Sequence, residues 1–332
     1  MADNVLEMWD AKNRGVVKVS RLGRVSLDED VVKLIDEKIQ LTKNERITCL
    51  SCYGGEGRDF GMGIDESLYS HHYALNKPVT VKNGEPSSNK VIQDKFPNSL
   101  ELALEAGLLP MGVMGLNLTT DGHFLLGYRR RGATLSIGDI ALVPAGFCAL
   151  GKPGSDDDYV IYNTAKREFL EEVLKIKEAD GLPQQEVDMT AQRYIADISL
   201  VGLTYVDQAT NRGFGIPVII QSKLDSRELG KVVNETNPDP EHIGYFVWQL
   251  TPDSVTDLVK QKGSLLEIHT LGTILCGVVN QFNAQEWYNR MVSEVIPSNW
   301  GGRVLTLPEN TFDERRTVVE VIRETMPQRY PS

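Results

Sequence analysis

Cysteine is scarce in this 332-residue chain. There are four, Cys49, Cys52, Cys148 and Cys276, too few and too scattered to staple a small secreted module. Cys49-Leu50-Ser51-Cys52 has the spacing of half a zinc site, but no second pair follows, and His71-His72 is too isolated to complete one. The two thiols therefore read as small apolar residues of a strand. Long apolar runs are also missing, since none approaches the ~18 residues that cross a bilayer. The opening residues Met1 to Asp10 carry acids where a signal peptide needs a basic patch and then an apolar stretch. Positive charge is short as well: 35 Lys and Arg stand against 46 Asp and Glu, a net charge of −11. Such a surface repels nucleic-acid backbones and anionic lipid, so a phosphate ligand must be drawn by a local basic patch. Together these absences predict a soluble protein of a reducing, cytoplasmic compartment with neither nucleic acid nor membrane as partner, and leave viral or organellar origin open.

What is present is ordinary for a globular chain: 41% hydrophobic and 24% charged residues, enough to build one large domain or two smaller ones. Residues 1–108 read as an N-terminal α/β region and 109–332 as a second domain ending in helices. In the first, 16–19 and 46–50 suggest strands, 28–39 a helix with Val31, Val32, Leu34, Ile35 and Ile39 at helical spacing, and 82–95 a polar surface loop. In the second, an apolar strand at 111–118 meets Asp121-Gly122, a strong hairpin turn signal, and returns as 123–128. Ile140 to Pro144 leads into an Ala145-Gly146 turn, and Tyr162 to Lys175 reads as a helix. Further strands are predicted at 194–202, 215–221 and 243–250, with helices at 254–260, 271–282 and 313–325. Hairpins interleaved with helices argue for a mixed α/β fold.

Lys166-Arg167-Glu168-Phe169-Leu170-Glu171-Glu172-Val173 carries the chemistry. Glu168, Glu171 and Glu172 stand at i, i+3 and i+4, so an α-helix places all three carboxylates on one face. Three like charges so close repel one another unless a cation sits among them, and a hard divalent ion, Mg²⁺ or Mn²⁺, takes oxygen ligands of this kind. Arg167 has the reach to hold a carboxylate bidentately.

In its order — hairpin, Pro-Ala-Gly turn, then Arg-Glu-Phe-Leu-Glu-Glu — this stretch resembles the Nudix box, which runs Gly, five residues, Glu, seven residues, Arg-Glu-U-x-Glu-Glu-x-Gly-U, with U aliphatic. Arg167, Glu168, Phe169, Glu171 and Glu172 match its helical half, and the resemblance covers roughly 110–260. Three features depart from it. Gly146 to Arg167 spans 21 positions, about seven more than in the family; Tyr159 stands where the first glutamate belongs, with an aspartate among 156–158 as its substitute; Leu174 replaces the closing glycine. The resemblance implies an α/β/α sandwich around a mixed sheet, with an N-terminal α/β extension that covers the substrate or forms a homodimer interface. It implies a Mg²⁺- or Mn²⁺-dependent pyrophosphohydrolase whose small-molecule substrate is a nucleoside diphosphate linked to another moiety, a nucleotide sugar or dinucleotide being favoured. Glu168, Glu171 and Glu172, with the Ala145 carbonyl, would ligate metal; Glu171 would be a ligand or the water-activating base, and Glu241, on a later loop, a base or ligand.

Weaker signals surround this core. Among Arg129, Arg130 and Arg131 at the hairpin end, strand alternation allows at most two to face a pocket and grip phosphates. Arg212 is a lesser candidate. The glycine-rich run 54–63 matches neither the dinucleotide fingerprint nor the P-loop and reads as a turn or covering loop. His242 and His269 lack any nucleophile signature and receive no catalytic role. Two other readings stay open: a Nudix-fold nucleotide-binding or regulatory module that does not cleave, and an isomerase of the same fold, for which Cys148 is the one cysteine near the box.

Overall fold

The computed structural model describes residues 7–8, 18–41, 44–54, 61–77, 79–82, 84–129, 140–152, 154–156, 159–176, 179–206, 213–235, 242–296 and 316–317. Its first part runs β1 (Glu7–Met8), β2 (Lys18–Arg24), α1 (Glu29–Lys38), β3 (Arg46–Gly54), β4 (Gly61–Leu68) and α2 (Tyr69–Asn76). The short pair β5 (Val81–Lys82) and β6 (Glu85–Pro86) leads to α3 (Lys90–Lys95) and α4 (Ser99–Glu105).

The hairpin of β7 (Met111–Leu118) and β8 (His123–Arg129) follows, then β9 (Ile140–Leu142), β10 (Ala145–Phe147) and α5 (Val160–Glu168). Next come α6 (Gln184–Ala191), β11 (Ile195–Leu200), β12 (Gly202–Val206) and β13 (Gly213–Ser222). The order closes with α7 (Ser226–Glu235), β14 (His242–Gln249), α8 (Pro252–Lys262), α9 (Ile268–Phe282), α10 (Gln285–Arg290) and β15 (Arg316–Thr317).

The larger sheet is mixed. Its path is β1-β12-β13-β7-β8-β14, with β10 on β7, β11 on β13 and β9 on β8. β7 and β13 run parallel and the β7–β8 hairpin antiparallel. Gly122 takes φ 78° at the hairpin tip, which is the reason for glycine there. Asp121 beside it accepts from Thr119 Oγ1 at 2.6 Å and from the Ser226 backbone N–H at 2.9 Å, so the tip is tied to the start of α7. A bond from Ser226 Oγ at 2.6 Å, with those from Thr119 and the Ser226 N–H, holds its carboxyl below the usual carboxylate range.

Strand alternation assigns the two faces. Met111 and Val113 of β7 join one core with Ile161, Ala165, Phe169, Val187 and Leu229, while Leu116 and Leu118 join another with Val255, Leu258, Leu271 and Ile274. Helices therefore cover both faces of the sheet, giving three layers and a mixed α/β fold.

The smaller sheet, β15-β3-β4-β2, shares the first of these cores. Val19, Leu50, Met62 and Ile64 pack with it, while Cys49, one residue along, turns to α1–α4. The Thr48 and Leu50 N–H groups donate to the Cys148 and Leu109 carbonyls at 3.0 and 3.1 Å, stitching β3 to the central part of the chain.

Several local expectations change. Residues 82–95 contain β6 and α3 rather than only loop, because Asn89 Nδ2 donates to the Lys77 carbonyl at 2.8 Å and Ile92 is fully buried. Gly61 to Gly63 of the glycine run belong to β4, where a Cβ on Gly63 would strike Cys52 Sγ; 55–60 lie outside the described residues. The strand expected over 194–202 divides into β11 and β12, both paired to β13. Of the expected 313–325 helix, Arg316–Thr317 instead pair as strand with Tyr53 and Cys52, and the rest lies outside the described residues. Among the described residues no helix is long and apolar enough to cross a membrane.

Candidate active site

The acidic segment begins as α5 and changes its winding. Val160, Ile161 and Ala165, then Phe169, Leu170 and Val173, are buried against the sheet and fix which side faces outward. After Glu168 the five residues Phe169–Val173 form a π-helical turn rather than continuing the expected α-helix to Lys175. A π-turn takes in an extra residue, and such turns gather at functional sites. Lys175, not the position of the missing glycine, takes the left-handed φ of 59° that ends the element. The Ile176 N–H reaches back to the Leu170 carbonyl at 2.8 Å, and the Lys175 ammonium lies 4.7 Å from the Tyr245 ring centroid.

Two of the three acids converge on Ala145 and Gly146, which the sequence reads as a turn but which open strand β10, paired with β7, the bend falling one step earlier at Val143-Pro144. The Ala145 backbone N–H donates to Glu172 Oε2 at 2.8 Å. The Glu168 carboxylate occupies the hollow over Gly146 so closely that a Cβ on Gly146 would overlap it. Glycine is required here for that reason, and not for its φ. Glu171 is half-buried on the π-turn. The widened winding separates it in angle from Glu168, while Glu172, four residues along, stays on Glu168's side. Among the described residues no three His, Cys, Asp or Glu side chains are gathered closely enough to hold a metal ion. The expected trio is thus, in this structure, a pair with a neighbour. Two carboxylates held at the start of β10 are nonetheless hard oxygen donors suited to a divalent cation.

Arg167 is buried and directed at the 179–184 segment. Its Nη1 donates to the Ala179 and Leu182 carbonyls at 2.6 and 3.1 Å, and its Nη2 to Gln184 Oε1 at 3.1 Å. Of the expected substrate and metal residues, Arg130, Arg131 and Glu241 lie outside the described residues, as do Arg212, Asp157 and Asp158. Arg129 ends β8 and lines a cleft.

That cleft, open to solvent, is lined on one side by Ala145, Gly146 and Phe147 of β10. Gly112, Gly213 and Gly215 give it a side-chain-free floor; Phe147 and Phe214 give it aromatic walls. Arg129, Glu267 and His269 supply polarity. Phe147 is pinned from behind by the N-terminal region, its ring centroid 5.8 Å from Tyr69 and 5.9 Å from His72.

Glu267 caps α9, its Oε2 accepting from the Thr270 N–H at 2.8 Å. Lys77, at the end of α2, is buried close enough to Glu267 and Arg129 to feel both charges. Burial pushes its ammonium down to about 8, with Glu267 opposing the shift and Arg129 adding to it. Burial also lowers His269, which is therefore neutral near pH 7.

Sequence reasoning missed Lys77 and Glu267 and set His269 aside, because residues so distant in sequence meet only through the tertiary fold. Cys148 is fully buried, which pushes its thiol up to about 12, with the Glu168 charge adding to the shift. It cannot serve as a reactive thiolate, and the isomerase reading loses its cysteine. No family model matches this chain, and no curated protein matches it.

Proposed function

We infer that the protein is a Nudix-type, Mg²⁺- or Mn²⁺-dependent pyrophosphohydrolase acting on a nucleoside diphosphate linked to another moiety, a nucleotide sugar or dinucleotide. One observation carries this reading. The first and last acids of Arg-Glu-x-x-Glu-Glu, Glu168 and Glu172, both meet Ala145 and Gly146, which in sequence stand where the Nudix box begins. The mixed sheet with helices on both faces supports it.

A divalent cation, when bound, would neutralise phosphate charge and lower the pKa of a coordinated water. Glu168 and Glu172 hold their carboxylates at the start of β10 beside the cleft. The Ala145 N–H fixes one Glu172 oxygen. Arg129 sets positive charge at the cleft in a chain that is otherwise acidic, the local attraction a phosphate needs. In the hydrolysis, a water oxygen bonds to one phosphorus, the bridging oxygen leaves with the other phosphate, and the water proton passes to a carboxylate or to solvent.

The test is release of nucleoside monophosphate from a panel of nucleotide sugars, dinucleotides and triphosphates with Mg²⁺ or Mn²⁺. Glu168→Gln and Glu172→Gln should each lower the rate ~10²–10³-fold while the far-ultraviolet circular dichroism stays unchanged. Near-normal turnover in both variants would remove these residues from the site. A second reading, a nucleotide-binding regulator that does not cleave, is favoured by the absence of a three-acid cluster among the described residues. Saturable binding with no release from any member of the panel would select it.

A further inference from the structure

We propose that the N-terminal region is a working part of the site: Tyr69 and His72 of α2 act through Phe147 as positioning residues that set where β10 holds Glu168 and Glu172. The proposal rests on the hydrolase reading for what the two carboxylates do, and not for where they are held.

β10 has one flank on the sheet and the other on the acids. Ala145, Gly146 and Phe147 pair with Met114, Val113 and Gly112 of β7. The Ala145 N–H is left for Glu172 Oε2, to which it donates at 2.8 Å. Successive strand residues face opposite ways, so Gly146 faces the Glu168 carboxylate and Phe147 faces away from it. What packs on Phe147 therefore sets the roll of a three-residue strand, and with it the hollow that Glu168 occupies.

That packing comes from α2. The Phe147 ring centroid lies 5.8 Å from Tyr69 and 5.9 Å from His72, and those two rings lie 6.0 Å from each other. Three rings in mutual contact form a triangle, so none can turn without disturbing the other two. His72 is fully buried, and its Nδ1 lies 3.2 Å from Asn76 Nδ2, which donates to the Leu108 carbonyl at 2.9 Å. α2 is thus fastened to the entry of β7 as well as to β10. β3 takes the far end of β10, where the Thr48 N–H and Oγ1 both donate to the Cys148 carbonyl at 3.0 Å. A reacting group displaced by ~1 Å can cost ~10²-fold in rate, so a strand held this way bears on the chemistry.

The test follows the Ala145 amide by hydrogen exchange in nuclear magnetic resonance spectra, because its bond to Glu172 is read with neither metal nor turnover. Tyr69→Ala should speed that exchange ~10-fold more than exchange of the β13 amides, which report any global loss of stability. Tyr69→Phe keeps the ring and should restore wild-type exchange. In the release assay Tyr69→Ala should lower the rate at limiting Mg²⁺ ~10-fold or more, and Tyr69→Phe should recover it. Should Tyr69→Ala fail to fold, Thr48→Val is read the same way, since it removes one bond onto the Cys148 carbonyl and keeps the side-chain shape. Ala145 exchange that moves no more than that of β13, or an unchanged rate of release in the folded variant, would overturn the proposal. Selectively faster Ala145 exchange in a protein whose wild type releases nothing would defeat the hydrolase reading alone.

Discussion

Gly146 is a more searching probe of the acidic pair than either acid, because it bears no charge and no polar side chain. A methyl there overlaps the Glu168 carboxylate, so Gly146→Ala must move either β10 or the acid. Overpacking of this kind costs about 1–3 kcal/mol, small beside a stability of about 5–15 kcal/mol, so the variant should fold. If Glu168 works from its place over β10, Gly146→Ala should lose metal-dependent release about as fully as Glu168→Gln. Its urea midpoint should fall only modestly. Full activity in a folded Gly146→Ala protein would show that the Glu168 position is incidental. The two ends of this contact were legible separately in the sequence, as a Pro-Ala-Gly turn and as an acidic run. Their meeting was not, since the 21 positions from Gly146 to Arg167 fit no local rule.

The acidic element is held by its apolar side. Phe169 opens the π-turn with no exposed surface, packed in the core shared by the larger sheet and the β2–β4 sheet. Phe169→Ala should therefore cost about 3–5 kcal/mol, read as a lowered denaturant midpoint at unchanged m-value. A loss under about 1 kcal/mol would mean that the core closes around the gap and that the turn is not anchored there. Elements with local signals were readable in advance. The β7–β8 hairpin follows its Asp121-Gly122 turn, and α1 follows the helical spacing of Val31, Val32, Leu34, Ile35 and Ile39, to which the structure adds an Asp28 cap accepting from the Asp30 N–H at 2.8 Å. α7 carries a legible cap as well: Asp225 and Glu228 exchange bonds at 2.8 and 3.0 Å, the reciprocal pattern of a capping box. α2 gave no such signal. Its buried residues include Ser70, His72 and Asn76 beside Ala74 and Leu75, so polar side chains face inward and amphipathic spacing is lost. The π-turn was also hidden, since Phe169 to Val173 suits an α-helix equally well.

Across the whole molecule, burial of titratable groups dictates how stability varies with pH. His71, His72 and His269 are each lowered from 6.5, chiefly by desolvation, so the folded state resists protons that the unfolded chain binds. Stability rises with pH wherever the unfolded state holds more protons, so it should fall as pH drops below about 6.5. At the alkaline end the signs divide. Lys77 is lowered from 10.5 to about 8, so between those values the unfolded chain holds the extra proton and stability gains with pH. The Cys49, Cys148 and Cys276 thiols are raised above 9.0 by burial, so above about pH 9 the unfolded thiols ionise while the folded ones do not, and stability is lost. Each group contributes about 1.4 kcal/mol per pH unit, and three thiols against one lysine leave a net loss of about 3 kcal/mol per unit above pH 9. Urea unfolding measured from pH 5 to 10 should thus peak between about 8 and 9, with a gentle rise from 8 that Lys77→Met removes. The acid limb should flatten in His72→Leu. A profile level down to pH 5, or one still climbing at pH 10, would contradict the burial of these groups.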